Sequence, residues 1–360
     1  MEIASRKKEA LLYIKQAKGL VRCQLCAHRC LIAPGKRGIC SVRENQGGIL
    51  YSLNYGLTIA ANVDPIEKKP LFHFLPGTKS YSVAAAGCNF RCEFCQNWEI
   101  SQITKPRTES VRGKGPEGQI IGENLPPEKV VEEAINTGCQ SIAYTYTEPT
   151  IFFEYAHDIA RLAKKKKLAN IFVTNGYQTP QTIKIMKGLI DAANVDLKSF
   201  SEKFYQEVCG ARLQPVLKSI KNIYKAGIHL EITTLVVPHQ NDSEKELSQI
   251  AKFIAKVSKN IPWHISRFHP EYKMINIYPT SLETLEKAWK IGKKAGLNYV
   301  YLGNVITEKG ENTYCPKCQT LNIKRFGYQT EILAVDKRGS CLQCGKSLNI
   351  IISSNRERTN

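Results

Sequence analysis

No apolar run in the 360-residue chain reaches the roughly 18 residues that a membrane span requires. Its first residues, MEIASRKKEALLYIKQAKG, offer neither an apolar core nor a small-residue cleavage site, so no export signal is read there and the chain is expected to be cytoplasmic. For such a chain, thirteen cysteines are not expected to build a disulfide framework, because the cytosol keeps thiols reduced. Metal or redox chemistry is the better reading. Acidic residues are also short: 32 Asp and Glu stand against 51 Lys and Arg, a formal charge of +19. That excess admits nucleic acid, an acidic partner or an anionic substrate. The alternative is lysine on solvated faces, as in KKKK at 164–167, which ends a predicted helix where cations suit the dipole. Nucleic acid is the less favoured of these partners.

What is present is a rhythm. From residue 81 onward, short apolar runs alternate with amphipathic stretches. The runs are YSVAAAG (81–87), SIAYTYT (141–147), NIFVTN (170–175), AANVDL (192–197), HLEITTLVV (229–237), WHISRF (263–268) and NYVYLG (298–303). Helical patterns lie between them, at 126–138, 152–167 and 284–296, with Thr280 and Glu283 spaced as a capping box for the last. Strands alternating with helices predict a parallel sheet. The count is too high for a Rossmann half and short of an eightfold barrel, so the fold class is α/β, a partial (β/α)6 TIM-like barrel. In such barrels chemistry collects at the carboxyl ends of the strands. Cys88, Glu148, Asn175, Asp196 and Lys198 all fall there.

Four segments are expected. Residues 1–45 form a helix over 1–20 followed by a four-cysteine knuckle. Residues 46–80 are an extended lead-in broken by Pro65, Pro70 and Pro76. The barrel occupies 81–310, with a long loop at 98–125 that reads as a lid or mobile segment. A cysteine module occupies 311–360.

Eleven cysteines fall into three clusters, and Cys139 and Cys209 read as ordinary buried thiols. Cys315-x2-Cys318 and Cys341-x2-Cys344 make two knuckles 22 residues apart, the pattern of a zinc ribbon with its four ligands closed; rubredoxin-like iron is the runner-up. Cys23, Cys26, Cys30 and Cys40 have the spacing C-x2-C-x3-C-x9-C, which matches neither a standard ribbon nor the bacterial ferredoxin run, so zinc and an auxiliary iron–sulfur cluster stay open. His28 could replace one of these ligands or be a surface histidine. The middle cluster lacks a fourth member. GCNFRCEFCQNW (87–98) holds only Cys88, Cys92 and Cys95. Three thiolates on a four-iron cube leave one iron without a protein ligand, and that iron can chelate S-adenosylmethionine through its amino and carboxylate groups. An electron delivered to the sulfonium then leaves methionine and a 5′-deoxyadenosyl radical, chemistry that belongs to the cofactor.

C-x3-C with an aromatic, Phe94, before the last cysteine resembles the signature of radical SAM enzymes. The resemblance implies a [4Fe–4S] cluster on Cys88, Cys92 and Cys95, S-adenosylmethionine beside it, and Phe94 near the adenine. In YTYTEPT (144–150), Glu148-Pro149 match a Gly-Gly-Glu-Pro motif whose glycines are replaced by Tyr146 and Thr147. Glu148 would then accept the methionine ammonium, or else serve as a helix N-terminal charge. VTNG (173–176, with Asn175) and VDLKSF (195–200) resemble segments of glycyl-radical-enzyme activases, which places Asp196 and Lys198 near the ribose and the methionyl carboxylate; an internal salt bridge is the other reading. LVVPHQND (235–242) resembles the family's fifth-strand turn. His264 is either a cofactor contact or a satisfied core histidine.

Over nearly the whole chain the sequence resembles the AmmeMemoRadiSam-system radical SAM enzymes. The knuckle from Cys23 to Asn45, DPIEKKPLFHFLPG (64–77), YTYTEPTIF (144–152), HISRFHP (264–270) and YVYLGNV (299–305) carry the resemblance. It implies hydrogen abstraction from a protein or other large substrate, partners of the Memo and AMMECR1 types, and an electron donor such as ferredoxin or flavodoxin. A glycyl-radical-enzyme (pyruvate formate-lyase-like) activating enzyme, an RNA-modifying radical SAM enzyme and a non-enzymatic zinc scaffold are the alternatives.

Overall fold

A computed structural model describes residues 7–104, 120–305, 307 and 310–352. Its centre is one eight-stranded sheet: β1 (Ala60–Pro65), β2 (Lys79–Ala84), β3 (Ser141–Tyr144), β4 (Ala169–Thr174), β5 (Ala192–Asp196), β6 (His229–Val236), β7 (Trp263–Arg267) and β8 (Val300–Gly303). These strands lie side by side in chain order. β2 to β8 run parallel, in registers such as Ser141 opposite Ala169 and Ile232 opposite Trp263. β1 is antiparallel to β2 and caps that edge, with Ala61 opposite Val83. Among the described residues β1 and β8 do not pair, so the barrel stays open on one side.

The seven predicted runs are these seven parallel strands. They are buried almost throughout, as a sheet covered on both faces must be. The crossovers are α1 (Pro127–Asn136), α2 (Phe153–Lys165), α3 (Pro180–Met186), α4 (Leu213–Lys225), α5 (Glu244–Val257) and α6 (Leu282–Lys294). Each helix owes its seat to one apolar face. In α4, Leu213, Val216, Leu217, Ile220 and Ile223 are buried at spacings of three and four. Side-chain oxygens accept from first-turn N–H groups: Thr179 from Thr182, Ser243 from Glu246 and Ser281 from Thr284. The last of these corrects the expected box at Thr280 and Glu283. Thr280 is buried and its hydroxyl donates instead to the Val236 carbonyl (2.6 Å). Lys164–Lys167 do end α2. No helix among the described residues is long and apolar enough to cross a membrane.

The expected helix over 1–20 is not found in the described part of that segment. Lys8–Glu9 and Tyr13–Lys15 are strands, the second pairing with Val21–Cys23. The Leu11 N–H donates to Glu154 Oε1 (2.9 Å), which holds the segment extended against α2. Much of the long loop predicted at 98–125 lies outside the described residues; its start is a one-turn helix, Trp98–Ser101.

The lead-in 71–76 runs beneath the barrel. The Glu231 carboxylate accepts from the Phe72 and His73 N–H groups (3.0 and 2.8 Å). The C-terminal module docks on that same segment through Arg325 Nη2 to the Phe72 carbonyl (2.7 Å) and a bridge from Phe74 to Ile351.

Candidate functional site

The loop after β2 turns at Gly87, whose φ is +107°. A Cβ there would stand 3.1 Å from both Thr104 Oγ1 and Val42 Cγ1, so only glycine fits without displacing a neighbour. The cysteine loop that follows is clamped by backbone bonds. The Arg91 and Glu93 N–H groups donate to the Cys209 and Val208 carbonyls, and Lys273 N–H donates to the Glu93 carbonyl. Two donors already reach sulfur: the Phe90 N–H lies 3.4 Å from Cys88 Sγ, and the Ser101 hydroxyl 3.2 Å from Cys95 Sγ.

Cys88, Cys92 and Cys95 line one cavity of about 500 Å³ at the carboxyl ends of the strands. Phe94, Glu148, Asn175, Asp196 and Lys198 line it with them. Five of the six expected cofactor residues are therefore together. His264 is not among them. It sits near the start of β7, donating from Nε2 to Glu231 Oε2 (2.6 Å) and stacked on Tyr301 (5.3 Å), as a satisfied core histidine. Its place at the amino end of a strand was the signal; Ser266, two residues on, is the one that faces the cavity.

Glu148 is buried and held from all sides. Its Oε1 accepts from the Thr150 N–H (3.0 Å) and the Thr174 hydroxyl (2.7 Å), and its Oε2 from the Asn175 N–H (2.8 Å). Burial raises its pKa although these donors act to lower it. It also caps the turn Pro149–Phe152, which is the helix N-terminal role read for it. Just before it, Tyr146 has φ +61°, the left-handed region that favours glycine, at a position where the resembling motif has one. Its hydroxyl donates to Asp64, which fixes the turn.

Lys198 Nζ donates to Asp196 Oδ2 (2.8 Å) and lies 5.6 Å from the centre of the Phe94 ring. The two charges form a pair, and both also face the cavity. Burial acts to lower the Lys198 pKa, but Asp196 and the nearby cysteines raise it well above the usual value, so it is a fixed cation beside the cysteine loop.

Cys209, read as an ordinary buried thiol, is one: 121 residues from Cys88 in sequence, it lies fully buried against Cys92, outside the cavity. Contact with Cys209, then burial, pushes the Cys92 thiol well up. Sequence reasoning missed two groups around the cavity itself. Lys69, almost fully buried, pairs with Asp64 (2.6 Å) on the cavity wall, and burial lowers it to about 8. Burial acts to raise Asp64, yet Lys68, Lys69 and Tyr146 together hold it well below the usual carboxylate range. Lastly, Tyr328 on the C-terminal hairpin and Asn304 complete the rim. A sequence signal existed for Lys68 and Lys69, in DPIEKKP, and for Asn304, in YVYLGNV just beyond a strand's carboxyl end.

The three thiols fit the group that the sequence implies. They share a cavity, they have N–H and O–H donors at sulfur, and they do not crowd to the spacing of a single ion. Among the described residues, the one group of three or more Cys, His, Asp or Glu ligand atoms lying within 4.8 Å of one another is Cys315, Cys318, Cys341 and Cys344. There Cys315 Sγ is 3.6 Å from Cys344 Sγ, and Cys318 Sγ 3.7 Å from Cys341 Sγ. Thiolates at about 2.3 Å from a tetrahedral zinc lie about 3.8 Å apart, so these four suit a single ion. The two knuckles repeat one geometry, with Gln319 N–H to the Cys315 carbonyl and Gly345 N–H to the Cys341 carbonyl, each turning residue at positive φ.

A family model described as the radical SAM superfamily matches residues 83–254. The uncharacterized protein MJ0808 of Methanocaldococcus jannaschii is 42% identical over 96% of this chain and 100% of its own length. The pyruvate formate-lyase-activating enzyme of Clostridium pasteurianum is 22% identical over 61% of this chain and 92% of its own. The benzylsuccinate synthase activating enzyme of Thauera aromatica is 22% identical over 38% of this chain and 44% of its own.

Proposed function

Because the chain belongs to the radical SAM superfamily, we propose that it abstracts hydrogen from a protein or another large substrate, as an enzyme of the AmmeMemoRadiSam type. Membership implies an enzyme of radical chemistry with a [4Fe–4S] cluster and S-adenosylmethionine. When bound, these supply the reductive cleavage of the sulfonium to a 5′-deoxyadenosyl radical. Cys88, Cys92 and Cys95 would hold the cluster. Lys198 offers a cation for the methionyl carboxylate, and Asp196 an acceptor for ribose hydroxyls. Phe94 presents a ring to the cavity where an adenine can lie. Glu148 has its oxygens engaged by five protein donors, from Thr150, Thr174, Asn175 and Gln178, so its first task is to hold Thr174 and Asn175 in place.

The observation that carries the proposal is the sharing of one cavity by the three thiols and the charged pair Asp196–Lys198. The large substrate is favoured by the open side of the barrel and by a rim drawn from distant segments, Lys69, Asn304 and Tyr328. Lys69 and Tyr146 supply the polar wall such a substrate would meet. Partners of the Memo and AMMECR1 types and a ferredoxin or flavodoxin donor complete this reading. Zinc in the C-terminal ribbon is its structural metal. The names of the activating-enzyme relatives favour a second reading, activation of a glycyl-radical enzyme.

The experiment is anaerobic reconstitution followed by dithionite and S-adenosylmethionine. 5′-Deoxyadenosine should be released, and the Cys88→Ala, Cys92→Ala, Cys95→Ala triple variant should release none. Release by that variant would sink the assignment. Deuterium transfer into deoxyadenosine from a labelled candidate, either a glycyl-radical enzyme or a Memo-type protein, separates the two readings.

A further inference from the structure

The four N-terminal cysteines line one small cavity together with Leu25, Ile32, Ile39, Arg43 and Asn89. No three of these thiols lie within 4.8 Å of one another, unlike the C-terminal four. Two ligands on one zinc can be at most about 4.6 Å apart, twice the Zn–S distance. The N-terminal set is therefore spread too widely for a single ion but suits a cube that takes one thiolate on each iron.

Two buried donors in the same wall point to an acceptor that the protein itself does not supply. Arg43 Nε and Asn89 Nδ2 are both buried without a hydrogen-bond partner. The rest of each group is fixed. Arg43 Nη1 and Nη2 grip Glu154 at 2.9 and 3.0 Å, and Asn89 Oδ1 accepts from Asn175 Nδ2 at 2.7 Å. Orphaned buried donors are costly, and sulfides and thiolates of a cluster are natural acceptors for them. Leu25 and Ile32, both buried, make the adjoining wall apolar.

We infer that Cys23, Cys26, Cys30 and Cys40 hold a second [4Fe–4S] cluster, capped by N–H donors from Arg43 and Asn89. A thiolate on every iron leaves no open position. The site is thus confined to one-electron transfer: it gains one electron from a reductant such as dithionite and gives it up with no bond made or broken. Asn89 joins this wall to the other site, since it follows Cys88 and its side chain bonds Asn175 of the main cavity. His28, between Cys26 and Cys30, lies in the same wall, its Nε2 2.9 Å from the Asn89 carbonyl rather than out in solvent.

The test uses the full chain carrying Cys88→Ala, Cys92→Ala and Cys95→Ala, reconstituted with iron and sulfide without oxygen. It should retain about four irons, as the cluster type requires, and show after dithionite an electron paramagnetic resonance signal that S-adenosylmethionine does not alter. Zinc in place of iron would overturn the inference. Should that variant prove insoluble, the unaltered chain decides. About eight irons and two signals, one of them moved by S-adenosylmethionine, support a second cluster; about four irons with two zincs refute it. Because the triple variant has no main site, failure here leaves the proposed reaction untouched.

Discussion

The cysteine loop after β2 and the C-terminal ribbon solve opposite problems with the same side chain. The ribbon gathers four thiols to 3.6–3.7 Å contacts, on knuckles whose backbone bonds repeat each other. Four thiols at that spacing would leave a single bound ion no open position. The loop offers three thiols on the wall of a cavity of about 500 Å³, beside a charged pair that four thiolates would not need. The difference teaches that ligand number and spacing, more than the presence of cysteine, separate a metal that holds a fold from one that meets a substrate.

The sharpest way to break the comparison is to remove the thiols of each site in turn. Loss of Cys88, Cys92 and Cys95 should abolish deoxyadenosine release while the thermal midpoint changes little. Loss of Cys315 and Cys341 should do the reverse in kind. One equivalent of zinc disappears, the midpoint falls, and stability drops by several kcal/mol, because metal binding energy in such modules is folding energy. Equal effects of the two sets on both readouts would erase the distinction.

Next in size is Lys198→Met. It removes the fixed cation from the cavity and strands Asp196. A charge-assisted bond is worth about 1.5–3 kcal/mol, so the KM for S-adenosylmethionine should rise roughly ten- to a hundredfold. Glu148→Gln places an amide where five donors converge and should cost about 2 kcal/mol of stability, read from urea unfolding. Smaller still is a pH effect from beneath the barrel. Burial lowers His73 from 6.5 to about 3, so the folded chain keeps it neutral while the unfolded chain protonates it below pH 6.5. Stability should therefore fall as pH drops from 6.5 toward 3, and His73→Asn should flatten that slope. Least of all, Cys209→Ala should cost about 1 kcal/mol of packing and leave iron content and deoxyadenosine release within about twofold. Loss of the cluster in that variant would make Cys209 a ligand and close the very position that the comparison holds open.

Much of this was legible in the sequence. All seven parallel strands follow from apolar runs between turns. The three thiols, Phe94, Glu148, Asn175, Asp196 and Lys198 share a cavity because each stands at or just beyond a strand's carboxyl end. The N-terminal strands were not legible, because short segments such as Tyr13–Lys15 owe their shape to a partner strand rather than to periodicity. His264 was legible as a core histidine, because it stands second in the run WHISRF, at the amino end of the strand. Tyr328 reaches the site only through folding, from a hairpin whose local sequence carries no chemical signature. Asn89 and Arg43 became informative only once their buried N–H groups were seen to lack acceptors.

The most direct test of the open corner is electron paramagnetic resonance of the oxygen-free, dithionite-reduced chain titrated with S-adenosylmethionine. The account predicts that one signal shifts on addition and that this signal alone is missing from the triple variant at Cys88, Cys92 and Cys95. A spectrum that does not change with S-adenosylmethionine would contradict it.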